Sequence, residues 1–170
     1  MGRMIDQLLD LSRIRLGSGI TLERRPIDAA DVVRSAVDEL RAAHPRRSVE
    51  LVVSGDTTGS FDPERLSQIA MNLIGNAMVH GTAATTVKTT LEGRDTELVL
   101  RVENAGTMTA ADRFVLFDPF RRGLHEPSKT ARSAGLGLGL SIVCHLVDQH
   151  QGRIVIESGP STVFTVFLPR

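Results

Sequence analysis

The sequence predicts an α+β domain, and two observations lead to this prediction. Segments that alternate between apolar and polar residues, as half-buried strands do, are interleaved with amphipathic helical segments along most of the chain. Hydrophobic residues make up 41% of the 170 residues and charged residues 24%, which is the balance of a globular protein with a real core. The length suits one domain with a short appendage.

Charge and cysteine content narrow the class of protein. Lysine and arginine together number 20, as do aspartate and glutamate, so no overall field draws the chain to nucleic acid or to a membrane. We therefore expect no nucleic-acid partner, and any anion site must be built locally. Cys144 is the single cysteine, which excludes an internal disulfide and suits a reducing compartment.

The N-terminal stretch predicts a short amphipathic helix that ends at Gly17. Its apolar residues recur at three and four positions, as in the seam of a coiled coil: Met1, Met4, Leu8 and Leu11. A helix this short is marginal alone, so it packs either on a partner helix or on its own domain. The pattern leaves both alternatives open.

Strands and helices follow from residue 20 onwards. Strands are predicted over residues 20–27, 48–54, 85–91, 97–102, 153–157 and 163–168, and helices over about 28–43, 62–79 and 137–151. Asp28 and Asp62 are the expected N-caps of the first two helices. A turn is expected over residues 55–60 and a hairpin turn over 93–95, while residues 105–136 read as irregular with one short helix.

The helix over residues 62–79 carries the first candidate site. Asn72 and Asn76 are one turn apart, so they project from the same helix face. Asparagine inside a helix is mildly unfavourable, and two on one face therefore require a reason. Either their carboxamide oxygens hold Mg²⁺, a cation that prefers oxygen ligands, or both are ordinary surface amides.

Alternating glycines precede the last helix. The run consists of Gly135, Leu136, Gly137, Leu138, Gly139 and Leu140. Glycine allows a close backbone approach, and the exposed N–H groups at the start of a helix bind phosphate. The run therefore predicts a phosphate site, with a flexible hinge as the alternative.

An aromatic pair followed by two arginines lies between these motifs. Phe117 and Phe120 are expected to anchor a loop onto the body of the domain. Arg121 and Arg122 either reach phosphate oxygens or form a solvated basic turn.

These motifs, taken in order, resemble the catalytic domain of sensor histidine kinases, which belong to the GHKL ATP-binding superfamily. They look like the N box (residues 72–77), the first glycine box (102–108), the F box (117–120), the second glycine box (135–140) and the last glycine-and-threonine turn (158–164). The likeness covers roughly residues 20–170, and residues 1–17 look like the end of the family's second dimerisation helix.

The resemblance implies a two-layer α/β sandwich of the Bergerat type, with helices on one face of a mixed, mostly antiparallel sheet. It implies ATP and Mg²⁺ as ligands and an ATP lid over about residues 121–134. It also implies phosphorylation of a histidine on a dimerisation domain outside this chain, a response regulator as partner and a homodimeric parent protein. A cytoplasmic location, in a soluble or a membrane-anchored parent, follows from the same likeness.

The resemblance also assigns roles to residues near the phosphates. Asn76 would hold Mg²⁺, and Asn72 would assist beside it. Arg122 matches the family's lid arginine, with Arg121 next to it, and both would contact the nucleotide. The glycine run from Gly135 to Leu140 would line the triphosphate.

The base would lie farther along the same cleft. Asn104 stands where the family usually has an aspartate that accepts a hydrogen bond from the adenine amino group. Gly106 belongs to the same box, and Thr162 to the last turn. His80 is either an adenine-side packing residue or an exposed histidine at the end of its helix.

The sequence departs from the family pattern at several positions. Asn104 lacks the charge of aspartate, Val79 replaces a phosphate-facing lysine and Met108 replaces a glycine. Weaker or less selective adenine binding is therefore expected. Hydrolysing relatives place a glutamate at the position of Asn72, and a carboxamide cannot take a proton, so efficient hydrolysis is not expected.

Two other functions remain open. A degenerate domain could bind nucleotide weakly or not at all and act through its dimer. A GHKL serine kinase is the third reading, and the dimerisation-helix likeness argues against it. None of the five histidines lies in the family's acceptor pattern, and His145 and His150 are expected at the surface.

Overall fold

The computed structural model describes residues 21–82, 84–107 and 139–170. Predictions for residues 1–17, for the lid and for the segment from 108 to 138 lie outside this part of the chain. The described elements are β1 (Arg25–Asp28), α1 (Ala29–Ala43), β2 (Val49–Gly55), β3 (Thr58–Phe61), α2 (Pro63–His80), β4 (Val87–Gly93), β5 (Glu97–Ala105), α3 (Gly139–Gln149), β6 (Arg153–Ser158) and β7 (Ser161–Pro169). None of these three helices has the length and apolar character that a bilayer crossing requires.

A five-stranded sheet forms one layer of the domain, in the order β2-β4-β5-β7-β6. β2 and β4 run parallel, and the other neighbouring strands run antiparallel. Alternate residues of β5 and β7 point into the core with the apolar faces of α1, α2 and α3, whereas Lys88, Arg101 and Glu103 are not part of that core. The predicted α+β fold, with helices packed on a mixed sheet, is confirmed.

The turn expected over residues 55–60 is wrong in its second half. Residues Thr58–Phe61 form β3, which pairs antiparallel with β1 in a separate two-stranded sheet. β1 itself covers Arg25–Asp28 instead of the whole predicted range. The sequence does not reveal this pair because both strands are only four residues long and partners in the ladder are about 30 residues apart or more.

Asp62 fixes the start of α2, the helix that carries both candidate asparagines. Its Oδ1 accepts from the N–H groups of Glu64 and Arg65 at 3.0 and 3.1 Å, as an N-cap does. Its Oδ2 accepts from the Glu23 N–H at 2.8 Å. One buried carboxylate therefore holds α2 and the segment that enters the domain.

His150 is buried at the end of α3, with 1% of its surface exposed, and His145 is half-buried. The His150 Nδ1 lies 2.7 Å from the Leu146 carbonyl oxygen, and no described residue hydrogen-bonds to Nε2. Burial lowers the pKa of His150, and the charge of Arg24 also lowers it, against the Leu146 carbonyl and Asp62. The expectation that His150 lies at the surface is wrong, because His150 comes four residues after buried Leu146, on the side of α3 that packs in the core.

Folding stability is expected to fall as the pH is lowered through 6.5, the ordinary pKa of histidine. Below that pH the unfolded His150 takes a proton that the folded one resists, so the unfolded state binds more protons and gains in stability. Denaturant unfolding of the wild type at about pH 7.5 and about pH 5.5 measures this loss.

Two variants identify the group responsible for this pH dependence. His150→Gln should show a smaller loss of stability between the two pH values. His44→Gln removes an exposed histidine at the end of α1 and should behave as the wild type does. An equal loss in His150→Gln and the wild type would assign the effect to another group.

Candidate functional site

A stripe of three polar residues runs along α2. Asn72, Asn76 and His80 follow each other at intervals of four residues, so they lie on one side of the helix. Both asparagines are half-buried and His80 is exposed. No described residue hydrogen-bonds to the carboxamide of Asn76. The predicted pairing of the two amides on one helix face is therefore present.

The start of α3 meets this stripe at Asn72. A Cβ atom placed on Gly139 would lie 3.1 Å from Asn72 Oδ1 and 3.4 Å from Asn72 Cγ. A side chain at Gly139 would thus press directly on the carboxamide. Gly139, the last glycine of the run, therefore meets a residue of α2 that is more than 60 positions away in sequence. Leu140, the next residue, has 7% of its surface exposed and packs in the core.

A second group of predicted residues meets where β5 and β7 pair. Asn104 and Thr162 are directly opposite each other, with 5% and 4% of their surfaces exposed. The Thr162 hydroxyl donates to the Gly106 carbonyl at 2.8 Å. Gly106 has a φ of +131°, a conformation that favours glycine. The backbone turns here, so that Gly106 lies beside the Asn104 carboxamide.

The loop after α2 joins these two groups. The Thr82 N–H donates to the Ala105 carbonyl at 3.1 Å, and a Cβ atom on Gly81 would lie 3.1 Å from Asn104 Cβ. A Cβ atom on Gly106 would lie 3.7 Å from the His80 carbonyl oxygen. The stripe on α2 therefore runs from Gly139 at one end to the buried pair on β5 and β7 at the other.

The chemistry of the described residues here is that of neutral amides and hydroxyls. The part of the chain that the structure describes contains no group of three or more His, Cys, Asp or Glu side chains that could hold a metal ion. Burial and the nearby Asp148 raise the pKa of the Cys144 thiol to about 12, so this residue of α3 stays protonated and is not a nucleophile. The arrangement can bind and orient a ligand through hydrogen bonds.

Several predicted site residues lie outside the described part of the chain. They are Arg121, Arg122, Gly135, Leu136, Gly137 and Leu138. The structure brings together the remaining predicted residues, namely Asn72, Asn76, His80, Asn104, Gly106, Gly139, Leu140 and Thr162.

Sequence reasoning missed Arg47 and Thr82. The Arg47 guanidinium donates to the carbonyl groups of Gly81 and Thr82, at 3.1 and 3.2 Å. Its partners are 34 and 35 residues away along the chain, so no local pattern marks it.

Comparison with known proteins agrees with this geometry. The family model described as histidine kinase-, DNA gyrase B-, and HSP90-like ATPase matches residues 61–170. The chain is 33% identical over 171 residues to a bacteriophytochrome of Pseudomonas aeruginosa, covering 99% of this chain and 23% of that protein. It is 36% identical over 176 residues to the probable sensor histidine kinase TcrY of Mycobacterium tuberculosis, covering 98% of this chain and 35% of that protein.

A solved structure extends the comparison to three dimensions. Full-length ShkA in complex with AMPPNP matches with a TM-score of 0.78 and 27% identity, over 98% of this chain and 35% of that one. This chain thus spans between 23% and 35% of the length of these relatives.

The fold, the family match and the approach of Gly139 to Asn72 define an ATP-binding domain. The chain belongs to the histidine kinase-, DNA gyrase B-, and HSP90-like ATPase family, and nearly its whole length is similar to part of a sensor histidine kinase. The resemblance inferred from the sequence motifs is confirmed.

Proposed function

We propose that this domain binds Mg-ATP along α2 and transfers the γ-phosphate to a histidine on a dimerisation domain outside this chain. The convergence of Gly139 on Asn72, with Asn76 one turn farther along the same face, is the observation that carries the proposal. Catalysis of this kind consists mainly of positioning and charge neutralisation; the amides and backbone N–H groups would position the nucleotide, and the bound Mg²⁺ would neutralise charge.

The base would lie at the far end of the α2 stripe. Asn104 and Thr162 are buried side by side there, and Gly106 leaves room beside the carboxamide. The Asn104 Nδ2 donates to the Ala105 carbonyl at 3.4 Å, so Oδ1 is the atom left to accept a hydrogen bond from an exocyclic amine. His80, exposed on the same stripe, would pack against the base.

The phosphates and Mg²⁺ would lie at the other end. Mg²⁺ keeps several waters and takes few protein ligands when phosphates supply the rest, so one or two amide oxygens are a sufficient donor set. Asn76 fits this role, because its carboxamide is half-buried and receives no hydrogen bond from the described residues, and Asn72 would assist beside it. The ion would neutralise charge on the phosphates.

The remaining assignments extend beyond the described residues. Arg121 and Arg122 would contact the nucleotide from a lid over about residues 121–134, and the backbone of residues 135–140 would line the triphosphate. Residues 1–17 would be the end of the second dimerisation helix, and residues 20–170 the catalytic domain. We further propose a homodimeric parent protein that acts from the cytoplasm on a response regulator.

A thermal-shift titration with Mg-AMPPNP tests nucleotide binding directly. A ligand that binds only the folded state at 100 times its Kd stabilises it by roughly 2.7 kcal/mol. We expect a melting temperature that rises with ligand concentration and rises less without Mg²⁺. An absence of stabilisation at any concentration would favour the alternative function, a degenerate domain that acts as an interaction module.

Asn104→Asp is expected to raise affinity for ATP by roughly three- to tenfold. A hydrogen bond to a charged acceptor contributes about 1.5–3 kcal/mol against about 1 for a neutral one, and burial of the carboxylate offsets part of the difference. Calorimetric titration of ATP into both proteins measures the change. Thr165→Val alters a buried polar residue of β7 elsewhere on the sheet and serves as the control. No gain for Asn104→Asp would mean that this side chain does not contact the base.

A further inference from the structure

Arg47 clamps the loop that follows α2. Its two terminal nitrogens donate to the carbonyl oxygens of Gly81 and Thr82, at 3.1 and 3.2 Å. A Cβ atom on Gly81 would lie only 3.3 Å from the Arg47 Nη2, so the guanidinium is packed closely against the loop. The backbone of Arg47 is itself tied to His44 at the end of α1.

The clamped loop touches Asn104 in two ways. The Thr82 N–H donates to the Ala105 carbonyl, and the same carbonyl accepts from Asn104 Nδ2. In addition, a Cβ atom on Gly81 would lie 3.1 Å from Asn104 Cβ. A chain of contacts thus leads from Arg47 through the backbone of Thr82 and the Ala105 carbonyl to the Asn104 carboxamide.

The orientation of that carboxamide matters because its two ends have opposite hydrogen-bonding character. Oδ1 accepts a hydrogen bond and Nδ2 donates one, so a half-turn of the side chain would reverse which base edge it recognises. An aspartate at this position would accept from either oxygen. With Asn104 in its place, something must hold the amide in one orientation if the domain is to recognise an amino group.

We propose that Arg47 is a positioning residue for base recognition: by holding the carbonyls of Gly81 and Thr82, it keeps Ala105 in place to accept from Asn104 Nδ2, and Asn104 Oδ1 is left for the 6-amino group of the base. This role rests on the proposed function, because it requires the base to lie beside Asn104. The guanidinium touches no reacting atom and acts only through the loop.

Discrimination between two nucleotides tests this role. ATP and purine riboside triphosphate share the sugar and the phosphates, but the second lacks the 6-amino group. For the wild type we expect ATP to bind about five to ten times more tightly, since one neutral hydrogen bond contributes about that factor. In Arg47→Ala this ratio of dissociation constants should fall to between about one and two. A purely structural role would weaken both nucleotides equally and leave the ratio unchanged.

Two further variants complete the experiment. Arg170→Ala removes another arginine that donates to two backbone carbonyls, those of Thr58 and Arg94, both at 2.9 Å, and the wild-type ratio should persist. Arg47→Lys keeps a donor without the planar fork, so an intermediate ratio is expected. If Arg47→Ala does not fold, Arg47→Lys decides the question.

The outcomes separate the two proposals. A wild-type ratio in folded Arg47→Ala, or a ratio of one in the wild type itself, overturns the role of Arg47 while nucleotide binding stands. A wild-type chain that binds neither triphosphate overturns the proposed function, and the role of Arg47 with it.

Discussion

Asn76→Ala is expected to weaken Mg-ATP binding by roughly 30- to 100-fold, the equivalent of about 2–3 kcal/mol for a polar contact to a charged group. The carboxamide is the one proposed Mg²⁺ ligand whose side chain receives no hydrogen bond from the described residues, so removing it breaks no described contact in the unliganded domain. Alanine is also the better helix former. The variant should therefore fold at least as stably as the wild type while losing its response to Mg-ATP.

Ser67→Ala provides the matched control. Ser67 is a half-buried polar residue of α2, nine positions before Asn76, which places it on the opposite side of the helix. The substitution brings the same gain in helix propensity, and ATP affinity should remain that of the wild type. Titrations with and without Mg²⁺ separate the loss of an ion ligand from the loss of a phosphate contact. Wild-type Mg-ATP affinity in Asn76→Ala would refute the assignment of this residue.

Gly93→Ala is expected to destabilise the domain by about 3–5 kcal/mol, a large part of the roughly 5–15 kcal/mol available to a domain. A Cβ atom at this position would lie 1.8 Å from the Asp56 carbonyl oxygen and 2.8 Å from the Thr57 nitrogen. Both are backbone atoms, so no side-chain rotation relieves the overlap. The segment between β2 and β3 would have to move away from the end of β4.

The same contact involves Gly55, the register partner of Gly93 in the parallel pair of β2 and β4. Gly55 has a φ of +71°, and a Cβ atom on it would lie 2.1 Å from the Gly93 carbonyl oxygen. The two strand ends therefore require glycine on both sides. Displacing them would also disturb β3, because Arg170 donates both to the Arg94 carbonyl, next to Gly93, and to the Thr58 carbonyl of β3, each at 2.9 Å.

Gly159→Ala is the control for this prediction. Gly159 lies in the turn between β6 and β7, and a Cβ atom on it would meet nothing within 4 Å. Its substitution should change the free energy of unfolding by no more than about 0.5 kcal/mol. Urea unfolding of the three proteins measures both effects. Equal stability of Gly93→Ala and Gly159→Ala would show that the segment after β2 adapts without cost.

The sequence by itself determined the fold class, the extent of most elements and the family. Strand alternation, the aspartate caps at Asp28 and Asp62, and the apolar faces of α1 and α2 are local signals, because each depends on residues within a few positions. The hairpin between β4 and β5 was predictable for the same reason. Asn72 and Asn76 could be paired from helix geometry alone.

Only the tertiary structure decided which residues meet across the chain. The pairing of β1 with β3, the burial of His150 and the clamp of Arg47 on the loop after α2 all join residues distant in sequence. Contacts of this kind depend on how helices and strands pack, and they cannot be predicted from a pattern of neighbouring residues. The approach of Gly139 to Asn72 is of the same type, since a motif names both residues but packing alone brings them together.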